Sequence, residues 1–157
     1  MRRAAGLLLA GALALSQGAG QAQTQAAPVS IGGQVQTPAS YAITGLATLP
    51  AVEVQAAREG GAMARYVGPL LWPILETAKL VDGPARGAHL QHAVLARGAD
   101  GYAVLLSIGE IDPGFEGKPV IIAYKQDGVL LEAPRLVVPG DRKAGRNVRG
   151  LVAIDVQ

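Results

Sequence analysis

The residues RLVVPGDRKAGRNVRG, at positions 135 to 150, combine positive charge with backbone freedom. Arg135, Arg142, Lys143, Arg146 and Arg149 face only Asp141 and Asp155 across the C-terminal segment. Gly140, Gly145 and Gly150 permit positive φ and a close approach of backbone amides to an anion. Arginine presents a planar fork that matches the paired oxygens of phosphate or carboxylate. This composition suits an anion-binding pocket. It equally suits a basic surface loop between two strands, and composition alone does not separate the two.

Other chemistry-bearing residues are sparse. His89 and His92 are the only histidines. A spacing of three would place them on one face of a helix, as a metal pair requires, but HAVLAR reads as a strand, where that spacing puts them on opposite faces. Surface or edge histidines are therefore expected, without a metal. Glu110, Asp112 and Glu116 gather around a Gly-Pro turn. With no ligand-loop pattern, they read as a helix cap and a solvated turn. Ser30, Ser40 and Ser107 lack a nucleophile elbow, and Ser107 is better placed as a cap. No catalytic residue is assigned. The chain has no Cys, which removes thiol catalysis, thiolate ligands and disulfides together.

The elements that must position the basic loop follow from length and patterning. The 157 residues imply a single folded domain. Residues 1 to 22 read as a secretory signal peptide: Arg2 and Arg3 precede a short apolar run, and Gly20-Gln21-Ala22 offers small residues for cleavage. The run is too short for a stable anchor. A single Met before the Arg pair favours the general secretory route over the twin-arginine one. The expected location is periplasmic or secreted, with no membrane association after cleavage. The formal balance of 14 basic to 12 acidic residues falls to parity once Arg2 and Arg3 are removed. Net charge therefore does not point to a nucleic-acid partner.

Residues 23 to 28 read as a disordered leader and 29 to 157 as the domain. VSIGGQVQTPASYAIT suggests strands near 29–36 and 40–43, followed by a helical turn capped by Thr44. AVEVQAA alternates as a half-exposed strand does, REGGAM is a turn, and ARYV is a strand. PLLWPILETAKLV is the best helix, with Leu71, Ile74, Leu75 and Ala78 on its core face and Gly83-Pro84 as its stop. Trp72 is expected to cover a core edge. LQHAVLAR and YAVLLS flank a Gly/Asp turn and predict a hairpin. Ser107 to Glu110 matches a capping box. KPVIIAYK reads as a central strand, and RLVVP and LVAIDV as the last two. The expected class is α+β, dominated by a mixed sheet with few short helices.

The order of these pieces resembles the sulfite-oxidase-type molybdopterin-binding domain family. ADGYAVLLSIGEID, KPVIIAYKQDGVLL, PRLVVPGD and NVRGLVAIDV resemble its second half. GQVQTPASYAITGLATLPAVEV and YVGPLLWPILETA resemble its opening. The likeness spans about residues 29 to 157. It implies that fold, and it implies that Arg135, Arg142, Lys143, Arg146 and Arg149 lie beside a pterin phosphate and ring. The chain departs from the family where its oxidoreductases carry a molybdenum-binding Cys: VEVQAAREGGAM has none. No other side chain reproduces that soft ligand well. The resemblance thus allows molybdopterin and argues against molybdenum.

Together these readings predict an exported, non-catalytic module that binds a pterin-like or other anionic small molecule through the basic loop. One alternative is a periplasmic protein-interaction or sensory accessory with a vestigial pocket, which predicts an exposed apolar patch near Trp72 and Tyr66. The other is a molybdopterin-dependent oxidoreductase with a non-Cys site.

Overall fold

The computed structural model describes residues 26–157. The signal peptide expected at 1–22 and the first part of the leader lie outside them. Residues 26 to 28 enter without regular structure.

Two sheets enclose the core. The first has five strands in the order β2-β1-β9-β5-β6. These are β1 (Val29–Gly33), β2 (Ala39–Tyr41), β5 (Ala93–Gly98), β6 (Ala103–Ser107) and β9 (Leu151–Val156). β1 and β9 run parallel and the other pairs antiparallel, so this sheet is mixed. The second is antiparallel, in the order β3-β4-β7-β8, from β3 (Ala51–Ala57), β4 (Met63–Pro69), β7 (Ile121–Gln126) and β8 (Val129–Val137). The α+β class holds, with the strands divided between two sheets rather than gathered in one.

Strand patterning explains the layering. On β9, Leu151, Ile154 and Val156 point inward, and on β7 the apolar run IIA is buried on both faces. Ile122, Leu136 and Val138 join the main core with Val29, Ile31, Val94 and Leu106. Ile121, Ala123 and Val137 face the other way, into a smaller cluster with Ala56, Ala64 and Tyr66. KPVIIAYK is continuous because its strand is covered on two sides.

Helix α2 (Leu71–Ala78) plugs the main core with Leu71, Ile74, Leu75 and Ala78. Pro73 sits in its first turn, where a missing N–H is cheapest. The helix stops at Lys79, whose φ of 56° cannot continue it, several residues before Gly83-Pro84. Trp72 packs against the core while half-buried. Tyr66 is wholly buried, so it cannot belong to an exposed apolar patch. The short helix α1 (Ile43–Leu46) follows Ala42 with no side-chain cap, which corrects the assignment of Thr44. Helix α3 (Ile108–Ile111) has the full capping box: Ser107 accepts from the Gly109 amide, and Glu110 accepts from the Ser107 amide.

Hairpin turns fix the registers. Asp127 and Gly128, with φ of 49° and 85°, join β7 to β8 in the conformation that Asp-Gly favours. The β3–β4 turn runs from Arg58 to Ala62 and closes with Arg58 N–H on the Ala62 carbonyl at 2.8 Å.

Candidate functional site

The basic loop folds back over the smaller cluster. It leaves β8 at Val137 and returns to the sheet through a bridge between Leu136 and Val148. Asn147 pins it: its Oδ1 accepts from the Val138 amide at 2.8 Å and its Nδ2 donates to the Ala57 carbonyl at 2.8 Å. Tyr102 ties down the outer part by donating its hydroxyl to the Gly145 carbonyl. The loop therefore lies against the end of β3, the β3–β4 turn and the β5–β6 turn.

A two-part cleft opens between them. Its inner compartment, about 280 Å³, reaches Tyr66, Gln126 and Arg135. Its outer compartment, about 610 Å³, is bounded by Gly60, Gly61, Asp100, Tyr102, Lys143 and Gly145. Arg58, Glu59, Ala144, Asn147 and Arg149 line both, so the two adjoin. The lining carries four cations, Arg58, Arg135, Lys143 and Arg149, against the carboxylates of Glu59 and Asp100. A concavity with this surplus concentrates anions.

Arg135 is the most firmly held of these cations. Its Nη1 donates to Tyr66 Oη at 3.3 Å and to Gln126 Oε1 at 3.0 Å. Its guanidinium carbon lies 5.7 Å from the Tyr66 ring centroid, a cation–π distance. Both Nη1 protons are thereby used. Nε and Nη2 have no partner among the described residues, and no fully enclosed polar side-chain atom there lacks one. The Nε–Nη2 edge is therefore uncovered on a residue that lines the cleft, and it is an edge that takes two oxygens of one anion side by side.

The five cations singled out in the sequence separate. Arg135, Lys143 and Arg149 line the cleft. Arg142 is exposed and lines neither compartment. Arg146 also lies outside the lining, because its fork is already filled: Nε and Nη2 donate to Asp141 at 2.8 and 2.7 Å, and Nη1 donates to Glu110 at 2.8 Å. Of the five, Arg142 and Arg146 are therefore placed outside the cleft lining. Arg146 is a strut between the loop and α3. Its guanidinium is held well above the usual arginine range by the hydrogen bonds it donates to Asp141 and Glu110. Asp141 is lowered, first by the Arg146 hydrogen bond. At Glu110 burial pushes the pKa up, but the hydrogen bonds from Arg146 and the Ser107 amide outweigh it, and the net direction is down.

Arg58, Glu59, Tyr66, Gln126 and Asn147 were not legible as site residues. Arg58 and Glu59 lie in what reads as an ordinary polar turn. Only the pairing of β3 with β4, and the loop crossing above them, bring them to the cleft.

The histidines form two separate pairs. His89 lies in a 3-10 turn, Ala88–Gln91, with Nε2 3.4 Å from Asp112. His92 follows that turn and precedes β5; Nε2 meets Asp82 at 3.1 Å and Nδ1 meets the Gln157 carbonyl at 3.0 Å. The turn replaces the expected strand at these positions, and His92 is buried rather than at the surface. Among the described residues no group of three His, Cys, Asp or Glu side chains could hold a metal. Glu110, Asp112 and Glu116 act as a cap and turn: Asp112 accepts from the Gly114 amide at 2.7 Å, and Lys118 bridges Glu110 and Glu116.

No protein-family model matches the sequence, and no curated protein matches it significantly. Among solved structures it resembles the sulfane dehydrogenase SoxCD from Paracoccus pantotrophus, with a TM-score of 0.66 and 20% identity over 93% of this chain. The match takes in 40% of that enzyme's chain, so this protein spans less than half of its length. The likeness establishes the fold, in keeping with the sulfite-oxidase-like architecture. A molybdenum centre does not suit the cleft: the chain has no Cys, and the lining offers guanidinium, ammonium, amide and phenol groups with two carboxylates.

Proposed function

We propose that this chain is an exported, non-catalytic binding module for a small oxyanion-bearing molecule, pterin-like or simpler, on a molybdopterin-binding-domain-like scaffold. One observation carries this reading. Tyr66 and Gln126 hold Nη1 of Arg135 and leave its Nε–Nη2 edge without a partner, and Arg135 lines a concavity also lined by Arg58 and Arg149. A preorganised fork loses little freedom on binding, so it contributes more affinity than a mobile surface arginine. Export rests on the N-terminal pattern of Arg2, Arg3 and the apolar run. Among the described residues no helix is long and apolar enough to cross a membrane.

The test is titration of the purified protein with 6-carboxypterin, followed by fluorescence, and with inorganic phosphate, followed by calorimetry. Saturable binding of either, weakened about tenfold or more in Arg135→Gln, is the expected result. No saturation by either at millimolar concentration would sink the reading.

A second reading, a protein-interaction module, has one feature in its favour. β8 is an edge strand, and Val129 and Leu130 at its start are each 69% exposed. Exposed apolar edges are templates for pairing with another chain.

A further inference from the structure

Arg149 and Glu59 form a two-contact ion pair: Nη1 to Oε2 at 3.3 Å and Nη2 to Oε1 at 3.1 Å. Both residues line the inner compartment and the outer one. The pair therefore stands at the junction between them. On one side lies the Arg135 fork, with Tyr66 and Gln126. On the other lie the Tyr102 ring, Lys143, Asp100 and the glycine turn.

The pair is also easy to open. Arg149 and Glu59 are 61% and 73% exposed along their side chains, so each is readily rehydrated. Gly60 and Gly61, with φ of 84° and 83°, have no atom within 4 Å of where a Cβ would stand. Space is thus available beside the turn that carries Glu59. Rotating Glu59 away would join the compartments and free the Nη groups of Arg149 for a ligand.

We propose that Glu59 determines the size class of ligand that the cleft accepts, by acting with Arg149 as a partition. This rests on the anion-binding reading above. A compact oxyanion occupies the Arg135 end with the partition closed. A ligand with an oxyanion head and a planar body reaching Tyr102 must break the pair, and its affinity is lowered by the cost of doing so. Both kinds of ligand feel the general charge of Glu59, so the ratio of their affinities isolates the partition from simple repulsion.

The experiment measures calorimetric affinities of inorganic phosphate and phenyl phosphate, both mainly dianions at pH 8, for the wild-type chain, Glu59→Gln and Glu59→Ala. In both variants the preference for phenyl phosphate over phosphate should rise by roughly two- to fivefold, the range expected when an exposed Arg–carboxylate pair no longer has to be broken. If phosphate binds and the ratio is the same in all three proteins, the partition is overturned and small-anion binding stands. If neither compound binds any of the three, the anion-binding reading fails and the partition falls with it.

Discussion

Asn147 joins the basic loop to the end of β3: its Nδ2 donates to the Ala57 carbonyl at 2.8 Å, across 90 positions of sequence. The same side chain accepts from the Val138 amide at 2.8 Å, so one amide satisfies two backbone groups on different elements. Asn147→Ala leaves both without that partner, at a cost of about 1–3 kcal/mol in urea denaturation. Asn147→Asp keeps the acceptor and loses the donor, so its cost should fall between zero and that of the Ala variant. Equal stability of all three proteins would show that the clamp does not hold the loop.

The Arg146 strut gives stability a defined pH dependence. Asp141 and Glu110 both titrate below their usual values of 3.8 and 4.5 when folded. The unfolded chain therefore binds protons first as acid is added. The strut's contribution is full above those usual values and is lost as pH falls through the lowered folded ones. Arg146→Met should reduce stability by about 1–2 kcal/mol at pH 7, and the gap to wild type should close towards pH 3. A gap that stays constant from pH 7 to pH 3 would show that packing, not charge, links the loop to α3.

Gly68 lies on β4 with the backbone of β7 directly beside it. A Cβ there would collide with the Ile122 carbonyl and the Ala123 Cα, which are backbone and cannot swing aside. Gly68→Ala must push the two strands apart, at an expected cost of about 3 kcal/mol. Gly145→Ala is the contrasting case, since nothing stands within 4 Å of its Cβ position, and it should stay within about 0.5 kcal/mol of wild type. Thermal denaturation of the two variants side by side checks both.

The strands and helices were legible in proportion to how local their causes are. The capping box at Ser107 and Glu110 and the buried face of α2 are each written within a few residues, and each appears in the structure. The split into two sheets was not visible, because it depends on β1 pairing with β9 across the whole chain. The stop of α2 at Lys79 was hidden for a related reason. Gln36 and Thr37 donate to the Lys79 and Ala78 carbonyls, so a distant segment ends the helix before Gly83-Pro84 can. At the cleft, charge counting found the basic loop but could not tell a bound arginine from an open one. Arg146 and Arg135 look alike in sequence. They differ because Asp141 and Glu110 fold against one, while Tyr66 and Gln126 leave an edge of the other uncovered.

That difference makes the arginines separable by experiment. Arg135→Gln removes the open fork and should weaken phosphate binding about tenfold or more, with a stability cost of about 1–3 kcal/mol because the buried Tyr66 hydroxyl loses its partner. Arg135→Lys keeps the charge but cannot make the side-by-side contact or preserve the hold from Tyr66 and Gln126, so it should recover only part of the affinity. Arg142→Gln removes an exposed cation outside the cleft and should change binding less than threefold, an effect that disappears as salt is raised. Arg146→Gln should lower stability more than it lowers affinity, because it breaks the strut without touching the lining. If all four variants weakened phosphate equally, and salt abolished every difference, binding would come from the diffuse charge of the loop. If the loss is concentrated at Arg135 and survives salt, the cleft reads its ligand through that one fixed fork.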